Sequence, residues 1–169
     1  MEMNRIFEGK SIVEIREALI PVELPLVRRL FQEYANGLGI DLCFQDFEAE
    51  LAGLPGRYTR PGGGLWLALC GSEPAGCVAI RPLESETCEM KRLYVRPGHR
   101  GQGLGRRLVE RVLAAAIEAG YQRICLDTLP SMTDAVRLYQ LLGFTPIAQY
   151  CHNPVPGALF LGRNLDQNK

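Results

Sequence analysis

An excess of charge of either sign is the first thing this sequence lacks. Nineteen Lys and Arg are balanced by nineteen Asp and Glu, and the isoelectric point is near 6.7. Such a chain has no bulk attraction for nucleic acid or an anionic membrane surface, so neither is expected as a partner. Long apolar runs are missing too. No segment reaches the length of a membrane span, and the first residues, MEMNRIFEGKSIV, contain no apolar core like that of a signal peptide, so a cytoplasmic location is the expectation. Cysteine occurs six times, at Cys43, Cys70, Cys77, Cys88, Cys125 and Cys151, but never as a CxxC pair. Spread mostly through apolar segments, these read as buried free thiols rather than metal ligands or disulfides, and no metal is expected. Histidine is confined to His99, in a basic loop, and His152, in a turn. No internal repeat or low-complexity tract is present.

One further absence is local. Between Glu89 and Glu110 there is no acidic residue, while Lys91, Arg92, Arg96, Arg100, Arg106 and Arg107 gather around Gly98, Gly101, Gly103 and Gly105. The stretch from Met90 to Ala119 reads as strand, glycine loop and helix. Leu93 and Val95 alternate with Arg92 and Tyr94, Pro97 and Gly98 break the pattern, and Leu104, Leu108, Val109, Val112, Leu113 and Ala116 then recur at helical spacing. A helix start carries partial positive charge and unpaired N–H groups, so cations collected there repel unless an anion lies between them. A phosphate held by amides that glycine leaves uncovered would serve. A solvated basic face beside a glycine-rich connection is the plainer reading, and both stay open at this point. Two phosphate-loop patterns fail: GxGxxG would need glycine at Arg106 or Leu108, and GxxxxGK would need lysine at Leu104.

At 169 residues and 47% hydrophobic, the chain suits a single domain with a real core. Residues 12 to 15 suggest a first strand. Val27, Leu30, Phe31, Tyr34 and Leu38 have helical spacing, and Phe44, Phe47, Leu51 and Leu54 suggest a second, short helix. The Pro- and Gly-rich segment from Leu54 to Gly64 reads as a loop, slightly favoured as plain surface over pocket lining. Leu65 to Cys70 and Glu73 to Leu83 form a hairpin turned at Gly71 and Ser72, and Thr87 to Val95 is the next strand. Period-two alternation puts Glu89, Lys91, Leu93 and Val95 on one face of that strand. Arg123 to Leu129 is a further strand, followed by a helix whose start has the Ser131/Asp134 capping-box spacing. The tail from Phe144 reads as two strands joined across HNPVPG.

The segment RGQGLG, Arg100 to Gly105, resembles the (Arg/Gln)xxGx(Gly/Ala) signature of the GNAT-type N-acetyltransferase superfamily, and Ala135 to Phe144 resembles that family's AxxLYxxxGF helix. The resemblance implies a central mixed, mostly antiparallel sheet flanked by helices in one α/β domain. It implies acetyl-coenzyme A as co-substrate, with its diphosphate on the glycine loop. The coenzyme-binding set it implies is Leu93, Tyr94, Val95, Arg100, Gly101, Gln102, Gly103, Leu104, Gly105, Arg106 and Met132. Met132 departs from the pattern, since many members have an asparagine there that contacts the pantetheine; Thr128, Ser131 or Thr133 would have to replace it. A bulge in the strand would free the Leu93 and Val95 N–H groups, that of Leu93 to polarise the thioester, a contact worth roughly 3 kcal/mol in comparable sites. An alkylammonium must lose its proton to attack, at a cost of roughly 4 to 5 kcal/mol at neutral pH, so a base is needed. Glu89 resembles the family's general base, with Glu86 the weaker rival, and Tyr139 its general acid. The implied activity is acetyl transfer to a primary amine, on a small molecule or a peptide, within a ternary complex. A non-catalytic acyl-coenzyme A sensor is the alternative, and a homodimer is left open.

Overall fold

The computed structural model describes residues 11–166, so expectations drawn from residues 1–10 lie outside it. Seven strands form one sheet in the order β1-β2-β3-β4-β5-β7-β6: β1 (Val13–Glu17), β2 (Gly64–Cys70), β3 (Glu73–Glu84), β4 (Thr87–Val95), β5 (Arg123–Thr128), β6 (Thr145–Pro146) and β7 (Leu159–Asn164). Every neighbouring pair is antiparallel except β4 and β5. The sheet is thus mixed and mostly antiparallel, as the resemblance implies.

Both faces are covered, so the central strands are almost continuously apolar. On one face lies α3 (Leu104–Glu118), whose Leu104, Leu108, Val109, Val112 and Ala116 pack on Trp66, Val78, Ile80 and Met90. Beside it α4 (Thr133–Leu141) adds Tyr139. On the other face α1 (Leu24–Leu38) and α2 (Phe47–Ala52) bring Val27, Leu30, Phe31, Phe47 and Leu51 onto Leu65, Leu67, Cys77 and Ala79. Each such Val, Leu, Ile, Phe or Met side chain, fully buried, contributes about 1.5 to 3 kcal/mol. No helix among the described residues is long and apolar enough to cross a membrane.

The structure corrects the alternation expected along β4. Cys77 pairs with Tyr94 but Ala79 pairs with Lys91, so Arg92 and Leu93 together oppose Val78, and Arg92 has φ 60°. This bulge advances the face pattern by one residue. Leu93 and Val95 therefore turn toward the α3 side, while Tyr94 joins the α1 side with Arg92, which packs over Phe47. Glu89 and Lys91 do not share a face with Leu93 and Val95.

Three other expectations change. The first tail strand is only two residues long; after Ile147 the chain leaves the sheet, and residues 147–158 cross toward β4 and β5 before β7 begins. Ser131 and Asp134 form no capping box: Met132 occupies the cap position, and among the described residues no side chain caps α4. The loop from Leu54 to Gly64 is not plain surface, because Tyr58 is buried with its hydroxyl donating to Glu50 at 2.6 Å.

Candidate active site

Two irregularities of β4 open the site. On one edge, pairing with β5 ends at Glu89↔Cys125, and beyond it the strands part. On the other edge the Arg92 bulge resets which amides face the gap. The Arg96 N–H bonds Ala75 on β3, so by strand alternation Tyr94 shares that edge, and Leu93 and Val95 turn their N–H and C=O groups to the unpaired one. There the Val95 carbonyl accepts from Arg100 Nε at 2.9 Å.

The gap continues into a groove of about 690 Å³ running to the start of α3. Gly101 and Gly103 have φ 77° and 76°, and a Cβ on either would touch nothing within 4 Å; the backbone conformation, not crowding, requires glycine. No acidic residue occupies the first turn of α3 and no side chain caps it among the described residues, so its leading amides point outward unpartnered. Leu93, Tyr94, Val95, Arg100, Gly101, Gly103, Leu104, Gly105, Arg106 and Met132 all line this groove, whereas Gln102 is exposed and does not. Ser131 and Thr133 stand beside Met132 on the wall, and the Thr128 hydroxyl lies 3.7 Å from the Met132 sulfur.

The basic cluster is smaller than its sequence count. Arg96 is clamped by both oxygens of Glu33 at 2.8 and 2.9 Å, Lys91 and Arg92 are buried in ion pairs, and His99 meets Glu73. Arg107 reaches the Val13 carbonyl. Arg100 and Arg106 are the cations left along the groove, and Arg106 also pairs with Glu110 at 2.8 Å.

At its inner end the groove joins a second, narrower space between β4, β5 and α1, and the two share Tyr34, Leu38, Leu93 and Met132. Asp127, Lys91, Arg92, Gln45 and Asn153 line this cavity with Tyr139. Lys91 Nζ lies 3.4 Å from Asp127 Oδ1 and 3.9 Å from Glu89 Oε2, and Asn153 donates to Asp127 Oδ2 at 3.0 Å. Glu89 does not line the cavity. It is buried, with one oxygen accepting from Arg81 at 2.8 Å and the other from the Tyr150 hydroxyl at 2.6 Å, and the cavity-lining group beside it is Lys91. Burial, with Glu89 adjacent, pushes the Tyr150 hydroxyl well above the ordinary tyrosine value. Glu86 lies in the β3–β4 turn beside Gln122, at the far end of the strand. His152 is exposed and stacks edge-on against Phe44 at the cavity rim.

Tyr139 sits on the buried stripe of α4, tilted against Phe144. Burial raises its hydroxyl above the ordinary value, and no group among the described residues hydrogen-bonds it. A buried phenol facing a cavity edge is a proton donor kept in its neutral form.

The family model described as "Acetyltransferase (GNAT) family" matches residues 24–144, which include the glycine loop, the parted strands and the tyrosine helix. This chain belongs to the GNAT family. An uncharacterised N-acetyltransferase of Schizosaccharomyces pombe is 39% identical over 153 residues, covering 89% of this chain and 94% of that protein. An uncharacterised N-acetyltransferase of Escherichia coli is 32% identical, over 75% and 77%. A GNAT acetyltransferase structure from Staphylococcus aureus superposes with TM-score 0.77 at 22% identity, covering 92% of this chain and all of the other. A putative acetyltransferase of Salmonella typhimurium, solved with acetyl-coenzyme A, gives 0.72 at 22%, over 94% and 97%. The protein is a GNAT acyl-coenzyme A-dependent N-acyltransferase.

Within this GNAT site, sequence reading missed Asp127, Tyr150, Asn153 and the buried Arg92. Asp127 did carry a signal, as the one carboxylate in the apolar run RICLDTL. Tyr150 and Asn153 carried none, because they arrive on the irregular segment after β6.

Proposed function

We propose that the protein transfers the acetyl group of acetyl-coenzyme A to a primary amine by direct attack, with both substrates bound together. The observation that carries this reading is the continuity of groove and cavity at Leu93: a donor laid along the glycine loop delivers its thioester where an acceptor in the cavity can reach it. The unpartnered amides of Leu104 and its successors, with Arg100 and Arg106, hold the diphosphate. Ser131 and Thr133 offer hydroxyls to the pantetheine where Met132 cannot. The Leu93 N–H bonds the carbonyl oxygen as negative charge develops there.

Asp127 is the carboxylate at the cavity wall, and it holds the ammonium and takes its proton. Lys91 and Asn153 position Asp127, and Glu89 stands behind Lys91. The amine nitrogen then forms its bond to the thioester carbon, the carbon–sulfur bond breaks, and the electron pair leaves on sulfur. Tyr139 protonates that thiolate and regains a proton from the second one the nitrogen gives up, while the proton held by Asp127 leaves to solvent, giving coenzyme A and the N-acetyl product.

Thiol release from acetyl-coenzyme A, measured over a panel of amines with mass analysis of products, tests the proposal. Asp127→Asn should lower kcat by about 10²-fold or more, the usual scale for a positioned base, and Glu89→Gln by less. Full turnover by Asp127→Asn at every pH would overturn the assignment of the base.

A further inference from the structure

The Arg92 guanidinium has an unsatisfied end. Its side chain is 1% exposed; Nε donates to Glu50 at 2.8 Å and Nη1 to Gln45 at 2.8 Å, but among the described residues Nη2 has no hydrogen-bond partner. Phe47 and Tyr34 stack near the ion at 4.9 and 5.7 Å. Glu50 cannot swing to Nη2, because its other oxygen already accepts from Tyr58. Burial opposes the charge on Arg92, yet Glu50 more than offsets it and the guanidinium is held above its ordinary value. A buried cationic donor left open is costly unless something binds it. Arg92 lines the same cavity as Asp127.

The surrounding charges narrow what that partner is. Ion pairs link Glu50, Arg81, Glu89, Lys91, Asp127 and Arg92 into one network of three cations and three anions. A purely cationic or anionic occupant would leave this balanced, water-poor network with an uncompensated charge. A ligand with one positive and one negative end would not. Asp127 suits the positive end and Arg92 Nη2 the negative, through a charge-assisted hydrogen bond. Between them Lys91 contacts Asp127, and Gln45 accepts from both Lys91 and Arg92. Ile40, Leu42 and Phe44 add an apolar stretch of wall beside these groups, and Tyr34, Thr128 and Tyr139 add hydroxyls elsewhere.

We propose that the acceptor is a free α-amino acid with an apolar side chain, its ammonium on Asp127 and its carboxylate on Arg92 Nη2. The proposal rests on the reading of this cavity as the acceptor site, and makes Arg92 the residue that selects among amines.

The test uses the wild-type protein and acetyl-coenzyme A, with thiol release and product mass as readouts. Leucine, methionine and phenylalanine are compared with their amides, their decarboxylated amines, spermidine and a lysine-containing peptide. At least one free acid should exceed its own amide at least tenfold in kcat/KM. In Arg92→Lys the KM for that acid should rise and the acid-to-amide ratio should fall toward one. If that variant does not fold, the wild-type series alone decides. Amides, polyamine or peptide turned over as well as the free acids would overturn this inference and leave amine acetylation standing. Calorimetric binding of acetyl-coenzyme A with no amine acetylated would overturn both.

Discussion

Tyr139 offers the sharpest test among single side chains, because it lines the cavity and no group among the described residues hydrogen-bonds its hydroxyl. Tyr139→Phe should lower kcat by about 10²-fold, the scale of a lost general acid, while the melting temperature stays level or rises. Burial raises this phenol, so the wild-type rate should show no descending limb from it below pH ~10, the ordinary tyrosine value. A rate profile recorded from pH 6 to 10 checks that. Tyr150 is the opposite case. Tyr150→Phe removes a 2.6 Å bond to a buried carboxylate, and urea unfolding should show a loss of about 1.5 to 3 kcal/mol.

Among elements, β4 sets the limit of what periodicity could tell. The helices α1 and α3 and the strands β2 to β5 were legible because their apolar spacing is regular and each is buried as its period requires. The bulge was not legible. It needs a left-handed backbone at Arg92, which an arginine adopts only because Glu50, Gln45 and Phe47 hold it there, and those partners lie more than forty residues upstream. Likewise Asp127 could be seen as a carboxylate in an apolar strand, but not that β5 would part from β4 just before it. The glycine loop was readable for a local reason: its conformation depends on its own residues. Gly103→Ala, placing a side chain at φ 76°, should cost about 1 to 2 kcal/mol by denaturant titration and raise the KM for acetyl-coenzyme A.

For the molecule as a whole, the thiols act as a pH gauge. Burial pushes Cys88 and Cys125 up to about 12 and Cys151 to about 11. With folded values raised, their contribution to stability is complete below the ordinary thiol value near 8.5 and is lost as pH rises, because the unfolded chain gives up those protons first. Thermal melts at pH 7, 8.5 and 10 should show stability falling across that series. In the native protein a thiol reagent should label exposed Cys43 readily, while Cys77, Cys88 and Cys125 react only after unfolding. The one residue by which β4 slips its register also divides the molecule by task. Under the proposed function, carbonyl and diphosphate handling fall on the Leu93 side of it, and recognition of the incoming amine falls on the Glu89 to Arg92 side. A lineage could therefore exchange its acceptor by remodelling residues 40–45 and the 147–158 crossing, which line the cavity but not the donor groove.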